Sequence, residues 1–209
     1  KEKYHDDDEM WNKAEAALRD VMNGLGIEYT EEIGEAAFYG PKLDVNVQPA
    51  VGNEITLSTC QLDFCLPAKF HLSYIDRDGE KKTPVVLHRA ILGSLDRFMA
   101  YILEETKGNL PTWLAPVQVR VMPVKTDDDS LNAYAKEICD ALKANKVRVD
   151  LDDRSEKLGY RMRAAQIQKV PYLLVVGFNE KDERTVSFRL HGEKKTTVLP
   201  LDEFVEKLD

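Results

Sequence analysis

The sequence predicts an α/β (α+β) chain in two parts, an antiparallel sheet with flanking helices followed by a mixed-sheet α/β domain. Three observations carry this. Residues 43–47 and 54–62 alternate apolar and polar side chains around a Gly52-Asn53 turn, the pattern of a half-buried hairpin. Gly108-Asn109-Leu110-Pro111, with Pro116 close behind, breaks the chain, so residues 1–111 and 112–209 form separate domains. Beyond the break, short apolar runs alternate with helical stretches of about ten to fifteen residues, which implies parallel strand pairs with helices on the sheet faces.

The elements follow in order. Met10, Trp11, Ala14, Ala17, Leu18 and Val21 recur at helical spacing, predicting a helix over residues 7–23 that ends at Asn23-Gly24. The hairpin comes next, and a second strand pair brackets Arg77-Asp78-Gly79. Val85-Val86-Leu87 reads as a strand leading into a long helix that opens at His88 and runs to about Lys107, with Ile91, Leu95, Phe98 and Ile102 on one face. In the second half, strands are expected at 117–123, 147–151, 173–176 and 185–190. Helices are expected at 130–144, 157–169 and 201–208.

Composition narrows the class. With 43% apolar residues the 209-residue chain can bury a core, and it holds no apolar run of the roughly eighteen residues that a membrane span needs. Cys60, Cys65 and Cys139 form no C-x-x-C pair, which argues against a disulfide framework or an all-thiolate zinc site. Intracellular, reducing surroundings are the expectation. The formal charge of −8 disfavours a nucleic-acid partner on average, yet the charge is uneven. Residues 1–35 carry four Lys/Arg against eleven Asp/Glu, whereas residues 154–169 carry five against one. That basic stretch reads either as a solvated helix face or as a phosphate-contacting surface.

Candidate chemistry in the first half lies in Tyr39 and Lys42 of a Gly-Pro turn, in Thr59, Gln61 and Asp63 on a strand, and in His88, Arg89, Ser94 and Arg97 on the expected helix. Strand alternation puts Thr59, Gln61 and Asp63 on one sheet side, either solvated or the floor of a ligand site. No P-loop or G-x-G-x-x-G fingerprint is present, so a Walker or Rossmann nucleotide site is unsupported.

One block resolves the family. Val85-Val86-Leu87-His88-Arg89-Ala90-Ile91-Leu92-Gly93-Ser94-Leu95-Asp96-Arg97-Phe98 resembles motif 3 of threonyl-tRNA synthetases, members of the class II aminoacyl-tRNA synthetases. Ala37-Phe38-Tyr39-Gly40-Pro41-Lys42-Leu43-Asp44, Gln61-Leu62-Asp63-Phe64 and Pro111-Thr112-Trp113-Leu114-Ala115-Pro116-Val117-Gln118 agree in order and spacing. The resemblance covers essentially the whole chain. It implies part of an antiparallel-sheet class II catalytic domain followed by a mixed-sheet anticodon-binding domain. It also implies a cytoplasmic ligase that uses threonine, ATP with Mg2+, and threonine tRNA, working as a homodimer.

Carried over residue by residue, His88 resembles a ligand of the zinc ion that holds threonine in this family. Such a metal discriminates threonine from valine because it demands an oxygen ligand. Arg97 resembles the motif 3 arginine that packs on ATP, Tyr39 and Lys42 the loop that covers the substrate, and Thr59, Gln61 and Ser94 the lining of the ATP and amino-acid pocket. Where the family often reads Trp-Gln-Cys-Gly, this chain has Ile55-Thr56-Leu57-Ser58, so a glutamine contact does not transfer to Thr56. Motifs 1 and 2 and the other two zinc ligands have no counterpart here, and the expectation is a fragment that alone neither holds zinc at structural strength nor forms threonyl-adenylate.

In the second half, Asp152-Asp153-Arg154-Ser155-Glu156-Lys157-Leu158-Gly159-Tyr160 and Val170-Pro171-Tyr172-Leu173-Leu174-Val175-Val176-Gly177 resemble the anticodon-binding domain of the synthetases for threonine, proline, histidine and glycine. The resemblance assigns base contacts to Arg154, Ser155, Glu180 and Arg189, although Ser155 stands where Asn is frequent and Glu180 also reads as a turn residue. Lys157, Arg161 and Arg163 are expected to contact phosphates. The competing function is a non-catalytic tRNA-binding protein on a synthetase remnant, against which the retention of Tyr39, Lys42, His88 and Arg97 argues.

Overall fold

The computed structural model describes residues 3–208. It divides into two compact units, one ending at Tyr101 and the other beginning at Ile102.

The first unit opens with α1 (Asp8–Leu25). Asp7 caps it by accepting the Met10 N–H at 3.0 Å, and Gly26 ends it in the left-handed region at φ 64°, two residues beyond the expected Asn23-Gly24 stop. Trp11 on its inner face meets the Phe64 ring edge-on at 5.4 Å. The sheet comprises β1 (Lys42–Val47), β2 (Ile55–Asp63) and β5 (Val86–Ala90), antiparallel in the order β1-β2-β5. A short helix α2 (Cys65–Lys69) and the small ladder β3 (Tyr74–Ile75) with β4 (Lys81–Lys82) fill the connection. Cys65 opens α2 and is buried.

A larger correction concerns His88. It lies in β5, not at the start of a helix, because residues 86–90 pair with residues 59–63 of β2. The helix α3 (Leu95–Glu105) begins only after a turn at Gly93, whose φ is 62°. Sheet pairing extends the Val-Val-Leu strand through His88-Arg89-Ala90, overriding a helical period that local spacing alone suggests. Ala14, Leu57, Phe64 and Cys65 are buried in this unit, while Leu87 on the second sheet face is 61% exposed.

The second unit is built on a five-stranded sheet in the order β10-β9-β8-β6-β7, with β6 (Val119–Pro123), β7 (Val149–Leu151), β8 (Tyr172–Val176), β9 (Thr185–Leu190) and β10 (Thr197–Pro200). β6 runs parallel to both β7 and β8, and β9 and β10 continue antiparallel. The helix α4 (Asp129–Ala144) links β6 to β7, and α5 (Leu158–Ile167) links β7 back across to β8. α6 (Phe178–Glu183) and α7 (Leu201–Glu206) follow. α6 and β10 escape the periodicity argument because both are short.

Two apolar layers cover the sheet. Val119, Val121, Leu174 and Phe188 pack with Ile138 and Leu142 of α4 and Phe204 of α7. Met122 and Leu173, on the other face, pack with Ala165 of α5 and Val170. The α4 crossover leaves β6 over one face and the α5 crossover leaves β7 over the other, so the chain diverges at the C-terminal ends of these neighbouring strands. In open α/β sheets that switch point is where ligands bind.

Candidate functional site

In the first unit, register places one polar surface. Lys42 opposes Gln61, Asp44 opposes Thr59, Asn46 opposes Thr56, and Gln61 opposes His88. Directly paired residues project to the same sheet side, so these groups share a face. A β-bulge shifts the register between Val45 and Asn46, so that Thr56 pairs with Asn46 although it lies an odd three positions from Thr59.

Side-chain bonds divide this surface into two groups. The Tyr39 hydroxyl donates to Gln61 Oε1 at 2.5 Å, and its ring lies 5.6 Å from the His88 imidazole. His88 Nε2 meets Asp63 Oδ2 at 2.8 Å, and Asp63 is fully buried, its Oδ1 accepting the backbone N–H groups of Cys65 and Leu66. Alongside, Asp44 accepts from Lys42 Nζ at 2.5 Å and from Thr59 Oγ1 at 2.6 Å. Asp44 and Asp63 thus anchor the candidate groups, roles the sequence reading did not assign to them.

Arg97 stands apart. It projects from α3 with Nη1 3.4 Å from the Thr56 carbonyl, whereas His88 sits opposite Gln61, five positions along β2 and roughly 16 Å away by strand rise. The two do not project from one helix, as expected from the sequence, but both reach β2. Ser94 is exposed just before α3, where its carbonyl accepts the Phe98 N–H at 3.0 Å.

Zinc needs three protein donors or more. No group of three His, Cys, Asp or Glu suited to a metal ion occurs among the described residues. The Asp63–His88 pair has the carboxylate–imidazole form that orients a metal ligand, but as a lone imidazole it does not hold the ion.

In the second unit, the loop after β7 carries Arg154 and Ser155. Arg154 donates to both oxygens of Asp152, Nε to Oδ1 at 2.8 Å and Nη2 to Oδ2 at 2.7 Å. The hydrogen bonds and charge of Arg154 hold the Asp152 carboxyl below its ordinary range despite burial. Ser155 is exposed. Arg161, expected on the surface, is 1% exposed and donates to three carbonyls: Asp152 O at 2.8 Å, Pro123 O at 2.7 Å and Glu156 O at 3.1 Å. It holds the loop and offers nothing to a phosphate. Arg163 on the same helix is exposed.

Glu180 lies in the first turn of α6, after β8. Its Oε2 accepts the Gly177 N–H at 2.9 Å and its Oε1 accepts from Ser187 Oγ at 2.7 Å. Burial alone raises its pKa, but the bonds from Ser187 and the backbone outweigh that and keep it below the usual range. Arg189 pairs in register with Leu173 and so faces the α5 side. Its Nε is buried without a partner, and Nη2 makes only a 3.3 Å bond to Thr196 Oγ1. A buried N–H without a partner is costly unless something else accepts from it.

Comparison with known proteins agrees with this division. Residues 2–106 match the tRNA synthetase class II core domain (G, H, P, S and T), and residues 118–209 match the anticodon binding domain. A threonine–tRNA ligase of Anoxybacillus flavithermus is 53% identical over the whole chain, and one of Staphylococcus saprophyticus is 55% identical over 208 residues. The chain spans 32% of the length of each. A crystal structure described as the RNA binding domain of threonyl-tRNA synthetase from Cryptosporidium parvum superposes with a TM-score of 0.90 at 34% identity, over 99% of this chain and 52% of that one. The chain belongs to the threonyl-tRNA synthetase family of class II aminoacyl-tRNA synthetases, of which it carries the C-terminal part, a portion of the core domain followed by the anticodon-binding domain.

Proposed function

We propose that this chain recognises the anticodon of threonine tRNA through the α5 side of its mixed sheet and the loops that follow β7 and β8, as part of a ligase that activates threonine with ATP and Mg2+ and transfers it to that tRNA. The observation that carries the proposal is Arg189, a half-buried residue whose Nε is buried without a partner on the α5 side of the sheet. Unpaired bases offer acceptors that fit such donors, and Arg154, pinned by Asp152, presents a fixed cation at the switch point. Glu180 retains lone pairs beyond its two intramolecular bonds and can accept from a base N–H.

In the first unit, Tyr39, Lys42, Thr59, Gln61 and Ser94 are assigned to the threonine and ATP surface and Arg97 to ATP itself. A guanidinium suits both adenine stacking and phosphate charge. His88, oriented by Asp63, is assigned as a ligand of the zinc ion. The domain boundary is placed near residue 111, between the two matched regions. The parent enzyme is proposed to be a cytoplasmic homodimer on family grounds, and no helix among the described residues is long and apolar enough to cross a membrane.

Gel-shift titration of the chain against threonine tRNA and an anticodon-swapped control tests the reading. Preference for the cognate anticodon supports it; equal binding of both, or of neither, removes it.

A further inference from the structure

Phe178 is the first residue of α6, immediately beyond β8, and it is 44% exposed. Two lysines from different elements converge on its ring: Lys181, one turn along α6, at 5.6 Å, and Lys125, from the loop after β6, at 6.0 Å. Val124, half-exposed beside them, bonds through its N–H to Val176 O at 2.8 Å, which ties this loop to the end of β8. Lys181 also approaches Ser130 Oγ at 3.4 Å and Asp182 at 3.5 Å, whereas Lys125 makes no ion pair among the described residues. An exposed aromatic ring with cations around it is what single-stranded nucleic acid uses, bases on the ring and phosphates on the ammonium groups.

We propose that Phe178 is the stacking platform for one unpaired base of the anticodon loop, with Lys125 and Lys181 taking the adjoining phosphates. The proposal rests on the tRNA-binding reading and adds a site to it. Nothing in Phe178 reads base identity, so this contact supplies affinity, while discrimination stays with Arg189 and Glu180. A platform beside Glu180 holds the loop where the acid reaches a base edge.

The test is fluorescence anisotropy of the whole chain with labelled anticodon stem-loops, one intact and a set each lacking a single loop base. Phe178→Leu should weaken binding of the intact loop about 5- to 30-fold. Phe178→Trp should keep it, and Trp113→Leu, at a 71% exposed position elsewhere, should change nothing. One abasic loop should lose affinity with the native chain but not with the Phe178→Leu variant, which identifies the stacked base. Lys125→Ala should reduce the slope of log affinity against log salt by about one. Native-like binding by Phe178→Leu alongside a loss in Arg189→Ala overturns the platform and leaves the tRNA reading intact. So does a changed sedimentation coefficient in Phe178→Leu without a change in RNA affinity, which would make the patch a contact between copies. If the native chain ignores the anticodon, the tRNA reading falls and the platform with it.

Discussion

Arg161 donates from Nη1 to the Asp152 carbonyl at 2.8 Å, from a fully buried position beneath the loop that presents Arg154. Burial pulls this guanidinium below its ordinary range, and the charge of Asp152 opposes that shift. Arg161→Ala would strand the carbonyls of Asp152, Pro123 and Glu156. The expected loss is about 3 kcal/mol of unfolding free energy, read from urea denaturation. Arg161→Lys should recover part of the stability but not the loop geometry, so cognate binding should remain weakened after folding is restored.

The Asp152–Arg154 pair has a pH signature. A carboxylate held below its ordinary range stabilises the fold above the unfolded pKa, and that stability is lost as pH falls through the folded value. Thermal stability should therefore hold from pH 7 to about pH 4 and decline below it. Asp152→Asn should lower the melting temperature at pH 7 and remove this part of the acid decline. An unchanged acid limb in the variant would assign the decline to other carboxylates.

Arg189→Ala should weaken cognate tRNA binding about tenfold or more and narrow the gap to the anticodon-swapped control, as expected for a lost base contact. Lys169 is unsuitable as a reference: its ammonium bonds the Lys107 carbonyl and its φ is 55°. Exposed Lys195→Ala is the better reference and should cost little. Equal losses in the two variants would argue against specific readout.

Gly93 explains a glycine inside motif 3. A Cβ there would lie 2.4 Å from the Leu57 carbonyl oxygen, and the residue sits at φ 62°. Gly93→Ala should cost at least about 2 kcal/mol and detach the β5–α3 turn from the bulged part of β2. Hydrogen exchange would show it as lost protection in β2 and β5, with β6 and β8 unaffected.

Equilibrium dialysis should find no tight zinc on the isolated chain, since no group of three metal-suited His, Cys, Asp or Glu occurs among the described residues, and His88→Ala should leave the metal content unchanged. Threonine-dependent pyrophosphate exchange should be absent as well. Robust exchange by this polypeptide would contradict the proposed division of labour.

Much of the architecture is legible in the chain because its signals are local. The Gly52-Asn53 hairpin turn, the period of α4 and the apolar runs of β6 and β9 depend on near neighbours and fall close to where they are expected. The motif blocks identify the family for the same reason, since residue types at set spacings survive without knowledge of what they touch. His88 was misassigned to a helix because its strand state comes from pairing with Gln61, distant in sequence. Arg161 was misread as a surface cation because nothing local reveals three carbonyls gathered from separate segments.

The sequence by itself determined the family, the order of most elements and the residue types available for chemistry. Tertiary structure decided which of those groups share a surface, which arginines are structural and which keep unused donors. Register, burial and hydrogen-bond partners are relations between distant segments, and they take definite values only when the sheet is assembled.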